Sequence, residues 1–100
     1  MLKKDLLELC ILNLLEQGPE YGYELLRKLH DAFPNTQESG IYAILRDLCR
    51  DGYTRSFQGT VSGGPSRKYY ELTAAGEDKR VSLLDQWRIL RIALEKIGIK

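Results

Sequence analysis

The chain has 100 residues, 43% of them hydrophobic and 29% charged, with 9 Gly and 3 Pro, which describes one globular domain and excludes a disordered, collagenous or low-complexity chain. Fifteen Lys and Arg against fourteen Asp and Glu leave a net +1, so bulk charge points to no class of partner. No apolar run approaches the ~20 residues of a membrane span, and Met1-Leu2-Lys3-Lys4-Asp5 lacks the apolar stretch and cleavage site of a secretory leader, so a cytoplasmic protein is expected.

Leu6, Leu7, Cys10, Ile11, Leu14 and Leu15 recur at helical spacing and predict a first helix over about 4–17, ended by Gly18-Pro19. Leu2, Leu9 and Leu12 form a second stripe well off the first. A small domain rarely covers two faces of a terminal helix, so that stripe reads as a partner surface. Tyr21, Leu25, Leu29 and Phe33 mark a shorter second helix, with Gly22 near its start and Pro34-Asn35 at its close. Ile41, Ile44, Leu45 and Leu48 form one face of a third helix over about 38–51, which Gly52 stops. Opposite lie Ser39, Ala43, Arg46 and Arg50, with Tyr42 on the flank.

After Gly52 the pattern changes. Tyr53 to Gln58 is rich in β-formers, and Lys68, Tyr70, Leu72 alternate with Arg67, Tyr69, Glu71. With the turn-rich Gly59–Ser66 between them they predict a hairpin. Thr73 is a suitable N-cap for a last helix over about 74–97, although Gly76 stands where a capping box has Glu. Leu83, Trp87, Leu90, Leu94 and Ile97 form an a/d seam on that helix, and Val81, Leu84, Ile89 and Ile92 lie elsewhere around it. A long terminal helix apolar on several sides predicts burial by a second copy of the chain.

Several chemistries are absent from this pattern. Cys10, Cys49 and His30 form no CxxC or HxxxH spacing, and both cysteines read as reduced apolar residues. Gly59 and Gly64 have the spacing of a phosphate loop, but Pro65 stands in place of the Lys. Asp5, Glu8, Glu16, Glu20 and Glu24 read as solvated helix faces. No catalytic residue, metal ligand or cofactor is expected.

Charge by segment is more informative than the total. Residues 1–39 carry four cations against seven anions, a net −3; residues 40–70 carry five against two, a net +3; residues 71–100 carry six against five, a net +1. The basic third coincides with the third helix and the hairpin, and a local basic face binds polyanions whatever the net charge. Helix, helix, helix, hairpin is the order of a winged helix-turn-helix, whose third helix enters the major groove while the hairpin reaches the backbone or a neighbouring groove. Gln37, Ser39, Tyr42 and Arg46 are therefore candidate contacts on the third helix, and Arg67 and Lys68 at the foot of the wing. Arg46 and Arg50 could instead pair with Asp47 and Asp51, and Tyr21 and Tyr23 read as residues that pack the second helix. A winged fold also serves as a protein-docking module, so a dimeric interaction module is the alternative.

The runs Gly18-Pro19-Glu20-Tyr21-Gly22-Tyr23-Glu24-Leu25, Ile41-Tyr42-Ala43-Ile44-Leu45-Arg46-Asp47-Leu48, Gly52-Tyr53 and Gly63-Gly64-Pro65-Ser66-Arg67-Lys68-Tyr69-Tyr70-Glu71-Leu72-Thr73-Ala74-Ala75-Gly76 resemble the PadR family of bacterial transcriptional regulators, in family order and spacing over nearly the whole chain. The resemblance implies a mainly α fold with a small β-hairpin: a winged helix-turn-helix over residues 1–73 and a C-terminal dimerisation helix over 74–100. It implies a cytoplasmic homodimeric repressor that reads an inverted-repeat operator in double-stranded DNA and leaves it when a small effector binds. The single C-terminal helix resembles the smaller subfamily, whose multidrug-binding members stack planar drugs on a Trp of that helix; Trp87 matches that position. Trp87, with Leu9 and Leu12 as walls, is the expected effector site, and Leu83, Trp87, Leu90, Leu94 and Ile97 the expected dimer contacts. One departure concerns the third helix. The family has Gly-Thr before its Ile/Leu-Tyr where this chain has Ser39-Gly40, so the Thr contact does not carry over to Gly40 while the Tyr contact carries over to Tyr42.

Overall fold

A computed structural model describes residues 1–60 and 64–100. The elements run α1 (Lys3–Glu16), β1 (Glu20–Tyr21), α2 (Gly22–Ala32), α3 (Glu38–Arg50), β2 (Thr54–Gly59), β3 (Arg67–Leu72) and α4 (Ala74–Ile97). The expected turn-rich loop lies partly outside the described residues, at Val61, Ser62 and Gly63.

Local chemistry sets these boundaries. The Asp5 carboxylate accepts the Leu2 N–H at 3.0 Å and closes the start of α1. Gly18 follows α1 at φ 139 and Gly52 follows α3 at φ 84, conformations that a side chain resists. The Thr73 hydroxyl accepts the Gly76 N–H at 3.0 Å and donates to the Gly52 carbonyl at 2.7 Å. It caps α4 and ties that cap to the end of α3. Gly76 seats closely on the same junction: a Cβ there would stand 1.9 Å from the Tyr53 carbonyl oxygen. Lys79 adds a cation 4.5 Å over the Tyr53 ring and pairs with Glu8 of α1 at 3.3 Å.

The hairpin is part of a three-stranded antiparallel sheet in the order β1-β3-β2. Glu20 pairs with Tyr70 and Tyr21 with Tyr69, while Phe57 pairs with Tyr69 on the other side. The spacing of Tyr21 with Leu25 and Leu29 predicts a place on the second helix, whereas the structure puts Tyr21 in β1. A strand of two residues has no alternation to read, and it forms because β3 presents a free edge beside the turn out of α1.

α1 packs against α2, α3, α4 and β3, and this central place corrects the reading of its second stripe. Leu12 has 0% of its surface exposed and Leu9 is buried as well, both inside the chain's own core with Ile11, Leu25, Leu29, Ile41 and Leu45. The chain folds around its first helix, so both faces of α1 are covered from within, and of the stripe only Leu2 is exposed. Leu83, expected in the dimer seam, belongs to the same core at 6% exposure. Farther along α4, Leu90 and Leu94 are half-buried, and Ile89, Ile92 and Ile97 stand exposed, Ile97 at 77%. Its first half therefore closes the core while its second half carries unburied apolar surface. No helix among the described residues is long and apolar enough to cross a membrane.

Candidate nucleic-acid interface

α3 turns Ile41, Leu45 and Leu48 into the core and leaves the opposite face in solvent. On that face Ser39 and Arg46 are exposed, and Tyr42 keeps 52% of its surface accessible. Gln37 is the N-cap residue; its carbonyl accepts from Gly40 and Ile41, while its exposed side chain makes no capping bond. The two arginines of the helix differ. Arg50 is held by Asp47 at 3.2 Å and by Asp51 at 3.0 Å, and its hydrogen bond keeps the Asp51 carboxyl below the usual carboxylate range. Among the described residues Arg46 has one ion pair, with Asp47 at 3.7 Å, and its side chain is exposed.

The wing meets this face along two adjoining clefts. One, of about 350 Å³, is lined by Tyr21, Gly22, Tyr23, Leu26, Tyr42, Ser66, Arg67, Lys68 and Tyr70. The other, of about 360 Å³, is lined by Tyr42, Arg46, Cys49, Arg50, Lys68 and Tyr70. Tyr42, Lys68 and Tyr70 belong to both, so the two form one groove between α3 and the sheet. The structure thus brings Tyr42, Arg46, Arg67 and Lys68 together, with Ser39 and Gln37 beyond the groove at the start of α3. The wing cations rest on aromatic rings: Arg67 lies 5.0 Å over Tyr21 and Lys68 lies 5.6 Å over Tyr70. Tyr70 is buried, and burial pushes its phenol up, so that it stays neutral beneath the lysine.

Tyr23, which the sequence pattern assigns to packing, lines the groove. It does not pack α2; it stands 63% exposed on the cleft wall. Its place two residues after Tyr21, off the Tyr21-Leu25-Leu29-Phe33 stripe, was the available signal.

A third cleft, of about 330 Å³, lies among α1, the end of α2 and α4. Its lining is Leu6, Leu9, Cys10, Asn13, Phe33, Leu84 and Trp87. Trp87 and Leu9 are brought together there, and Leu12 is not part of the wall. The Arg91 guanidinium lies 5.1 Å over the Trp87 ring. Burial pushes the Cys10 thiol up, away from the reactive thiolate. No group of three or more His, Cys, Asp or Glu suited to a metal ion occurs among the described residues.

Residues 11–81 match the transcriptional regulator PadR-like family. A Streptococcus transcriptional regulator is 34% identical with a TM-score of 0.84, covering 94% of this chain and 93% of its own. A PadR-like transcriptional regulator from Bacillus cereus is 30% identical with a TM-score of 0.84, covering 92% and 90%. An uncharacterised protein of Lysinibacillus sphaericus is 30% identical over 84 residues, which span 81% of this chain and 77% of that one. The family and these structural neighbours are transcription regulators and not enzymes.

Proposed function

The chain belongs to the PadR-like family of transcriptional regulators, and from that premise we propose a cytoplasmic homodimeric repressor that binds an inverted-repeat operator and leaves it when a small planar aromatic compound binds. The observation that carries the DNA-binding part is the groove that gathers Tyr42, Arg46, Arg67 and Lys68. α3 supplies the helix that fits the major groove, with Gln37, Ser39, Tyr42 and Arg46 on its free face. The wing supplies Arg67 and Lys68 for the phosphate backbone.

Residues 1–73 form the DNA-binding unit in this reading, and 74–100 the dimerisation helix. The seam through Trp87, Leu90, Leu94 and Ile97 supports the dimer, because half of α4 carries apolar surface that one chain does not cover. Leu83 supports α4 from within the core. The cleft beside Trp87 and Leu9 supports the effector site.

Titration of the full chain against duplex DNA over a range of salt tests the central reading. Counterion release gives a log–log slope of roughly −0.9 per phosphate neutralised. A steep slope, flattened in Arg67→Ala/Lys68→Ala, is the expected result. No binding, or binding indifferent to salt, would favour a protein-docking module.

A further inference from the structure

We propose that β1 and the first turn of α2 complete a seat for one backbone phosphate of duplex DNA, in which the Tyr23 hydroxyl binds the phosphate and Tyr21 is a positioning residue that holds the Arg67 guanidinium against it. The proposal deepens the DNA-binding reading above and rests on it.

Most arginines that could serve are already spent on carboxylates. Arg27 is tied to Glu24 and Asp31, Arg50 to Asp47 and Asp51, Arg55 to Glu71, and Arg80 to Glu77. Arg67 and Lys68 meet no carboxylate among the described residues; aromatic faces hold them instead. A guanidinium stacked on a ring is fixed in place yet keeps its full charge and its in-plane N–H donors free. The cleft that these cations border has no Asp or Glu in its lining. It offers two free cations and phenolic donors with no competing anion, the chemistry of a site for an acceptor-only, negatively charged group.

The two tyrosines contribute differently. Tyr21 is fixed by its pairing with Tyr69 in the sheet and by ring contacts to Tyr69 at 5.9 Å and Tyr23 at 6.1 Å. Its face is occupied by Arg67, so it acts through that residue. Tyr23 leans on Tyr21 and leaves most of its surface open to the cleft. Gly22 lets the start of α2 seat closely on β3, because a Cβ there would stand 3.0 Å from the Tyr70 ring.

Fluorescence anisotropy with a labelled random-sequence duplex across a salt series tests the seat. Tyr23→Phe is expected to weaken binding roughly ten-fold with an unchanged salt slope, since it removes a hydrogen bond to a charged oxygen but no cation. Tyr21→Leu is expected to weaken binding alone and to cost clearly less in an Arg67→Ala background, where only its support of the Tyr23 ring is left to lose, whereas Tyr23→Phe costs as much there as in the wild type. Tyr21→Phe keeps the stacking face and is expected to bind as wild type. Wild-type affinity in Tyr23→Phe, or a Tyr21→Leu loss that persists in full without Arg67, overturns the proposal. Tyr23→Phe removes one oxygen from an exposed ring, so it decides the direct contact even where Tyr21→Leu fails to fold. If the wild-type chain itself shows no salt-dependent binding, the DNA reading fails first, and that result is distinct from either of the others.

Discussion

Tyr42 combines an exposed ring on the free face of α3 with a place in both parts of the groove. A residue in that position touches base edges or the sugar-phosphate wall, and one substitution separates these. Tyr42→Ala is expected to reduce operator affinity by about 1–3 kcal/mol if the ring meets a base, and then to relax discrimination between operator and random duplex. The check is to measure both duplexes side by side, using the DNA upstream of the chain's own gene as operator. An equal loss on both assigns Tyr42 to the backbone. Arg46 and Arg50 show why sequence stops short at this scale. Both lie on the outer face of α3, yet Arg50 is clamped by two carboxylates and Arg46 is nearly free, a difference of side-chain geometry that spacing does not carry. Tyr23 escapes the pattern for a related reason, because an aromatic beside a glycine reads as packing until the neighbouring strand is known to fill that role.

At the scale of elements, the helices were legible because each begins or ends on a residue with a backbone reason to be there. Thr73 and Gly52 do so for α4 and α3, and the alternation from Arg67 to Leu72 marked β3. What eluded pattern was the relation between elements. Two apolar stripes on α1 look the same whether the second is covered by a partner or by the chain's own core. Leu12 gives this a measurable form. As a core residue with no exposed surface, Leu12→Ala is expected to cost about 2–5 kcal/mol. Chemical denaturation of the folded chain reads that loss directly. A near-neutral Leu12→Ala would return the residue to a surface role.

At the scale of the molecule, the second half of α4 carries apolar surface, Ile89, Ile92 and Ile97, that one chain leaves exposed. Leu90→Asp is expected to give monomers or unfolded chain, since a charge in the seam is buried without a partner. Sedimentation that shows a folded dimer of this variant removes the seam from the interface. The proposed effector site depends on the same assembly. A two-fold dimer brings Trp87 and its mate onto equivalent helices, and two indoles across a gap form a slot for a flat aromatic compound. Titration with such compounds is expected to quench Trp87, the one Trp of the chain, to saturation and to release DNA. Quenching without DNA release, or none at all, leaves Trp87 as packing.

The seat of Thr73 and Gly76 on Gly52 and Tyr53 has a consequence for geometry. The cap of α4 bonds to the Gly52 carbonyl at 2.7 Å, and Gly76 is pressed against Tyr53 with no room for a side chain. α3 and α4 are joined there without slack, as a blade is fixed to its handle. α4 has 24 residues and so a length of ~36 Å, and a small change in how two such handles cross is magnified at the blades. In the proposed dimer, operator half-sites about 34–36 Å apart would be spanned or missed according to that crossing angle. The spacing a regulator of this shape accepts is then decided where its long helices meet, far from any base.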